Sequence, residues 1–254
     1  MDMKADDPAL KLDYDNLTEW DARVQLAAAY RLVAHFGWDD LIFTHLSCRV
    51  PGPEHHFLLN PYGYLFHEIT ASSLVKVDKD GNAVDDDGKG KINPAGFTIH
   101  SAVHMARDDA HAVMHLHEPN CMAVSATEGG LKPLSQTAML CQAHLAFHEY
   151  EGVALNLDER ERLIRDMGDK NIMMLWNHGV LTAGKTVPEA FIYLYFFTRA
   201  CEIQVRAGNG PHHLPDQQAI DTTRDQGQML GGAGKLAWPG LVRIADDLYP
   251  GFRD

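Results

Sequence analysis

Two histidines at a spacing of two, His115 and His117, stand at the end of a short run of strand-forming residues. Because successive side chains of a strand point to opposite faces, both imidazoles project from the same face. Pro119 ends this strand, since proline offers no N–H to a neighbouring strand. A third imidazole, His178, follows the apolar run at residues 172–176. Three neutral imidazoles with an open position are typical of a catalytic metal site. The sequence therefore predicts that His115, His117 and His178 bind one divalent metal ion.

A second histidine pair, His100 and His104, lies one turn apart in a helix predicted at residues 97–107. Such a pair can bind a metal, but the glutamate of an HExxH motif is missing. We therefore predict that this pair packs in the core or at an interface. Since the chain contains 15 histidines, His115 and His117 also have an ordinary packing interpretation. The third imidazole at a separate strand end favours the metal site.

Capping residues and apolar periodicity predict the elements that position these histidines. Thr18 begins a helix that Gly37 ends. Thr186, with Pro188 in the first turn, begins a long helix to Arg206 that is apolar nearly all round, which favours packing between subunits. The other predicted elements are strands at residues 41–50, 56–59, 64–66 and 74–78, a mobile loop at 85–91, and helices at 119–124, 135–145 and 159–168.

The chain divides by composition into three parts. Residues 1–17 form a polar lead-in, and residues 18–207 form the domain that carries the candidate site. Residues 208–254, rich in glycine, proline, glutamine and histidine, are predicted to be a tail that packs on the domain or on a neighbouring subunit. Within this tail only residues 241–248 are predicted to be helical.

Composition excludes several classes of function. The net charge of −13 over 254 residues argues against a nucleic acid partner, whose phosphates the chain would repel. The sequence has no run of eighteen apolar residues, and its acidic amino terminus lacks the apolar segment of a signal peptide. Four scattered cysteines without a CxxC pair indicate buried free thiols in a reducing compartment. We therefore expect a cytoplasmic protein with no membrane or nucleic acid partner.

Five separated stretches of the chain together match one family pattern: Thr44–Arg49, Ile69–Leu74, Asn93–Ala102, Val113–His117 and Leu175–Gly179. Through these stretches the chain resembles the class II aldolase/adducin family from Trp20 to Ala207. The resemblance implies a three-layer α/β/α fold with a mainly antiparallel central sheet, and a tetramer with sites near subunit interfaces. It also implies one divalent metal ion on three histidines, which map to His115, His117 and His178. Zinc is expected, with manganese or iron(II) as alternatives.

The chain also departs from the sugar-phosphate aldolases of this family. Those enzymes have a Ser-Ser-Glu run whose serines hold phosphate and whose carboxylate acts as acid and base. Pro94, Ala95 and Gly96 stand at the matching positions here, and residues 44–47 replace a Gly-Asn-Leu-Ser phosphate turn. A phosphorylated substrate is therefore disfavoured. The chain resembles the adducin head domain more closely, but it keeps the metal histidines that adducin lacks, which favours an enzyme.

The absence of a carboxylate at position 96 limits which reactions the site can catalyse. Retro-aldol cleavage needs a base at the step that breaks the bond, whereas decarboxylation does not. The sequence thus favours a metal-dependent carbon–carbon lyase, most of all a decarboxylase of a hydroxy or oxo acid or of an ortho-hydroxy aromatic acid. The alternatives are aldol cleavage of a non-phosphorylated substrate, a non-heme iron oxygenase, and a non-catalytic adducin-like interaction domain. His45 is the candidate proton donor, although it also fits an ordinary hydrogen-bonded strand residue. Asn93 and Ser47 are candidate substrate-binding residues.

Overall fold

The computed structural model describes residues 12–14, 16–52, 55–84, 90–153 and 158–254. The loop predicted at residues 85–91 falls largely outside these ranges, as does most of the predicted lead-in at residues 1–17. Among the described residues, no helix is both long enough and apolar enough to span a bilayer. All four cysteines are buried and free, as predicted.

A seven-stranded sheet forms the centre of the described chain. Its order is β3-β2-β1-β4-β7-β6-β5, and every neighbouring pair is antiparallel except β5 and β6. This confirms the mainly antiparallel sheet. The strands are β1 His45–Arg49, β2 Phe57–Leu59, β3 Val75–Val77, β4 Ala112–Leu116, β5 Leu145–His148, β6 Ile172–Leu175 and β7 Gly179–Gly184.

Helices cover both faces of this sheet and complete the predicted α/β/α layers. On β4, Met114 joins the larger apolar core, whereas Val113 points to the opposite face and joins a smaller core formed with α2 and α5. The larger core packs α1, α3, α4, α6 and α8 against the sheet. The helices are α1 Glu19–His35, α2 Pro94–Ala106, α3 Pro119–Ser125, α4 Gln136–Gln142, α5 Glu159–Met167, α6 Val187–Ala207, α7 Gln217–Gln226 and α8 Leu230–Leu248.

The helix starts follow the capping residues. The Thr18 hydroxyl accepts from the Asp21 backbone N–H at 3.1 Å, and the Asp21 carboxylate accepts from the Thr18 N–H at 2.9 Å. This reciprocal capping box satisfies two N–H groups that α1 would otherwise leave without a partner. Thr186 caps α6 in the same way by accepting from the Glu189 N–H at 3.2 Å.

Three predicted elements are wrong. Residues 64–66 form no strand, because a 3₁₀ turn begins at Phe66. The helix predicted at 135–145 ends at Gln142, and the next apolar residues form the edge strand β5, which is too short to show an alternating pattern. The prediction that only residues 241–248 are helical beyond residue 208 also fails, since α7 and α8 cover most of that segment.

Most of the apolar surface of α6 is covered within the chain, whereas Ile203 and Val205 near its end are exposed. Trp238 of α8 is fully buried, and its ring lies 5.6 Å from that of Phe191 on α6. The same helix also packs on strands β7 and β4 of the sheet. A helix apolar nearly all round is explained by burial between two layers of its own chain. This feature therefore no longer supports packing between subunits.

Candidate metal centre

The structure brings the three predicted ligands together. The Nε2 atom of His117 lies 3.2 Å from Nε2 of His115 and 2.9 Å from Nε2 of His178. The three ligand atoms all lie within 4.8 Å of one another. Among the described residues this is the one group of three or more histidines, cysteines or acids arranged to hold a metal ion.

Two strand ends produce this convergence. His115 lies in β4, and His178 lies in the tight hairpin between β6 and β7, where its N–H donates to the Leu175 carbonyl at 3.1 Å. Gly179 makes the close approach of β7 to β4 possible. Its φ is +156°, and a Cβ atom there would lie 2.3 Å from the Leu116 carbonyl oxygen. The Asn-His-Gly sequence is thus explained by backbone geometry as well as by chemistry.

Hydrogen bonds on the outer ring nitrogens orient two of the imidazoles. His115 Nδ1 lies 3.0 Å from the Val180 carbonyl oxygen, and His117 Nδ1 lies 3.0 Å from the Asp40 carboxylate. Both partners accept hydrogen bonds, so Nδ1 carries the proton and Nε2 keeps its lone pair. The lone pairs of His115 and His117 therefore face the centre of the cluster. Such outer partners are typical of histidines that bind metals, and this donor set fits a divalent ion.

Burial favours the uncharged form of His115 and His178. Desolvation lowers the pKa of His178 to about 4 and that of His115 well below its usual value, and neighbouring imidazoles lower both further. Neutral imidazoles are the form that binds metal. The site is thus prepared for a cation at neutral pH.

A strained turn positions Asp40, which the sequence analysis did not identify. Leu41 and Thr44 have φ values of +52° and +67°, and the Phe43 N–H donates to the Asp40 carbonyl at 2.8 Å. A β-branched residue in this region costs about 1–3 kcal/mol. The turn holds the Asp40 carboxylate beside His117, and no sequence pattern indicates it.

A cavity of about 460 Å³ opens beside the three histidines. Its walls include His45 and Asn93, the residues that the sequence analysis named as candidate proton donor and candidate substrate-binding residue. Ser47 does not line it, because this serine is fully buried behind His45 and bonded to two other histidines. The described lining residues include no lysine, arginine or carboxylate. They are Phe43, Thr44, His45, Tyr62, Asn93, Gly96, Ile99, His115, His117, Met122, Tyr150, Gly152, Val153, Asn177 and His178.

His45 lies where a side chain at position 96 would project. A Cβ atom on Gly96 would come within 2.2 Å of the His45 ring. His45 pairs with His115 across β1 and β4, so both imidazoles face the same side of the sheet. Burial lowers the pKa of His45 to about 4, with a further contribution from His117. The lowered pKa favours the uncharged ring at neutral pH, and the role of His45 as a proton donor stays a prediction.

The second histidine pair lies apart from the three-histidine cluster. His100 and His104 are almost completely buried in α2, and both contact the Ser47 hydroxyl. His104 also stacks on Phe57, with ring centroids 4.8 Å apart. The structure thus agrees with the prediction that this pair packs in the core.

Comparison with known proteins places the chain in a family. The family model described as the class II aldolase and adducin N-terminal domain matches residues 24–205. A candidate aldolase class 2 protein of Caulobacter vibrioides is 56% identical over 240 residues, which are 93% of each chain. Alpha-adducin of Rattus norvegicus is 43% identical over 197 residues, which are 76% of this chain and 27% of that protein.

Solved structures agree in fold. An aldolase II superfamily protein from Pseudomonas syringae superposes with a TM-score of 0.88 at 47% identity, covering 94% of this chain and 97% of that one. An L-fuculose 1-phosphate aldolase from Glaciozyma antarctica superposes with a TM-score of 0.77 at 25% identity, covering 91% and 92%. The similarity therefore extends over nearly the whole chain.

Proposed function

This chain belongs to the class II aldolase and adducin N-terminal domain family, and from that premise we propose that it is a metal-dependent carbon–carbon lyase. The observation that carries the proposal is the convergence of three imidazole Nε2 atoms beside a cavity large enough for a small molecule. A domain that served only for protein interactions would have no need for a neutral, pre-oriented donor set in such a cavity.

His115, His117 and His178 are the proposed ligands of one divalent ion, with zinc as the expected metal and manganese or iron(II) as alternatives. Such an ion supplies Lewis acidity that draws developing negative charge onto a substrate oxygen. The chain contributes the orientation of the donors. Asp40 and the Val180 carbonyl each accept an Nδ1–H and so hold the rings of two ligands in place.

The cavity walls support a small, non-phosphorylated organic acid as substrate. No lysine or arginine lines the described part of the cavity, so a phosphate would find no cationic partner there. Phe43, Tyr62 and Tyr150 offer aromatic surface to a carbon skeleton. Asn93 supplies an amide that can donate to or accept from a substrate hydroxyl or carbonyl.

Aldol cleavage is the reaction that this geometry supports best. His45 lies in the space beside residue 96, where the sugar-phosphate aldolases have their carboxylate, and burial lowers its pKa, which favours the uncharged ring. In the proposed step a substrate hydroxyl gives its proton to His45 as the carbon–carbon bond breaks. The hydroxyl carbon becomes the carbonyl carbon of one product, and the bond electrons stay with the other fragment, which then takes up a proton. In this proposal the base is the His45 imidazole of β1, in place of the carboxylate of the sugar-phosphate aldolases.

Decarboxylation of a hydroxy or oxo acid, or of an ortho-hydroxy aromatic acid, is the second candidate. It is favoured by the lack of any carboxylate among the described lining residues, since carbon dioxide can leave without a base. Here the site would bind an already ionised acid, and the remaining carbon would take its proton after the bond has broken.

One panel of assays distinguishes these functions. The zinc-loaded protein is incubated with non-phosphorylated hydroxy and oxo acids while aldehyde release, carbon dioxide release and, for the iron-loaded protein, oxygen uptake are followed. Aldehyde release that is lost in His45→Gln at full metal content supports the aldol proposal. Carbon dioxide release that persists in His45→Gln assigns decarboxylation instead. Oxygen uptake with iron alone would indicate an oxygenase, and a protein that binds no metal would indicate an adducin-like interaction domain.

Two further properties belong to this proposal. We expect a homotetramer, since oligomers are common among aldolases of this family. We also place the protein in the cytoplasm, because four buried free thiols suit a reducing compartment.

A further inference from the structure

A buried serine joins the two histidines that the proposed metal site leaves unused. The Ser47 Oγ atom lies 2.6 Å from His100 Nδ1 and 2.8 Å from His104 Nε2. Ser47 has no solvent exposure, and both histidines are about 1% exposed. None of the three residues lines the cavity, so their contacts call for an explanation other than substrate binding.

The bond between His104 and the Ala110 carbonyl fixes the direction of every other hydrogen bond in this group. His104 Nδ1 lies 2.7 Å from the Ala110 carbonyl oxygen, which can only accept, so Nδ1 carries the proton. His104 is neutral in its apolar surroundings, and its Nε2 therefore accepts from the Ser47 hydroxyl. The Ser47 oxygen in turn accepts from His100 Nδ1. His100 Nε2 is left with a lone pair, and it has no hydrogen-bond partner among the described residues.

The His100 ring, whose Nε2 keeps this lone pair, lies next to the His45 ring. The rings of His100 and His45 meet edge to face, with centroids 5.9 Å apart and an interplanar angle of 84°. Both nitrogens of His45 are buried without a protein partner among the described residues, so no direct hydrogen bond fixes its tautomer. The electrostatic field of a lone pair beside it favours an N–H on that side.

We infer that Ser47, His100 and His104 form a directed hydrogen-bond relay that selects one tautomer of His45, with its N–H toward His100 and its lone pair toward the cavity. These three are positioning residues, because they act through His45 and do not touch the substrate. The catalytic consequence rests on the proposed function, in which His45 accepts a proton from the substrate. With a single tautomer, the His45 nitrogen that accepts the substrate proton is unprotonated before the reaction begins.

Histidine-selective ¹⁵N NMR tests the relay without a substrate. The zinc-loaded wild type is compared with Ser47→Ala, which removes the central hydroxyl, and with the matched control Ser101→Ala. Ser101 is also a buried serine, but it lies in α2, and its hydroxyl bonds to Thr98 and Arg160 and not to the relay. Assignments come from single histidine-to-glutamine variants.

In the wild type we expect protonated Nδ1 on His100 and His104 and one tautomer of His45. Ser47→Ala should give a mixture of tautomers at His100 and His45, whereas Ser101→Ala should match the wild type. A proton on His100 Nε2 in the wild type would overturn the relay, and this outcome is read from the wild-type spectrum whether or not Ser47→Ala folds. An unchanged His45 spectrum in folded Ser47→Ala would also overturn it.

Kinetics separate this inference from the proposed function. On a substrate that the wild type cleaves, Ser47→Ala should lower kcat by about 10-fold or more with little change in KM, because proton transfer and not binding is impaired. If the wild type cleaves nothing but shows the expected tautomers, the proposed function fails and the relay stands. If it cleaves a substrate while His45 shows mixed tautomers, the relay fails and the lyase stands.

Discussion

Replacing Gly96 by alanine should displace His45. The added Cβ atom would lie 2.2 Å from the Cε1 and Nδ1 atoms of the His45 ring, well inside any normal contact. The ring is 4% exposed and lines the cavity, so the added methyl group would push it out of its place beside residue 96. The φ of Gly96 is not in the left-handed region, so alanine itself fits the backbone of α2.

Two opposing terms set the size of the effect. Alanine in place of glycine stabilises a helix interior by about 1 kcal/mol, and less near an end such as this first turn. Overpacking a buried site costs about 1–3 kcal/mol. We therefore expect Gly96→Ala to lower the free energy of unfolding by up to about 2 kcal/mol, with a large loss of lyase activity at unchanged metal content.

Gly232→Ala is the matched control. Gly232 lies in α8, is exposed, and would place its Cβ in open space, so alanine there should stabilise the protein by about 0.5–1 kcal/mol without changing activity. Urea unfolding, metal content and initial rates are measured on both variants. If Gly96→Ala were as stable and as active as Gly232→Ala, His45 could not occupy the space beside residue 96, and our assignment of the base would be refuted.

Three further predictions follow from the site and the fold. Asp40→Ala should weaken zinc binding by about 10–100-fold in a chelator competition assay, because His117 loses the acceptor that orients it; unchanged affinity would remove Asp40 from the site. Burial lowers the pKa of His104 to about 3, so between that value and about 6.5 the unfolded chain binds a proton that the folded chain does not, and stability falls as pH falls. For the metal-free protein this amounts to about 2 kcal/mol between pH 7 and pH 5, measured by urea unfolding, and His104→Gln should lack that part of the slope. Light scattering at micromolar concentration should give the mass of four chains, and a monomer would contradict the expected tetramer.

Much of the architecture could be predicted from local patterns. Strand alternation predicted that His115 and His117 share one face, and the caps at Thr18 and Thr186 marked two helix starts; the structure confirms all three. The helix α8 was harder to predict, because glycines and an internal Pro239 conceal its helical pattern. Tertiary packing of Trp238 against α6 overrides those weak propensities.

The candidate site shows a similar division. His115 and His117 are spaced by two in a strand, and His178 follows another strand. This pattern was enough to predict from the sequence that the three proposed ligands lie together. Asp40 and the space beside Gly96 depend on a turn with two left-handed residues and on the packing of β1 against α2. Neither leaves a periodic signal. For that reason the sequence showed the missing carboxylate and named His45 as a candidate, but it did not show that the His45 ring fills the space beside Gly96.

Metal content tests the central claim most directly. The wild type, purified without added chelator, should contain close to one divalent ion per chain by elemental analysis. His117→Ala should lose it while remaining folded, because it removes the imidazole whose Nε2 lies within 3.2 Å of both others. A wild type that holds no metal even after incubation with zinc, or a His117→Ala variant at full occupancy, would contradict the three-histidine metal centre.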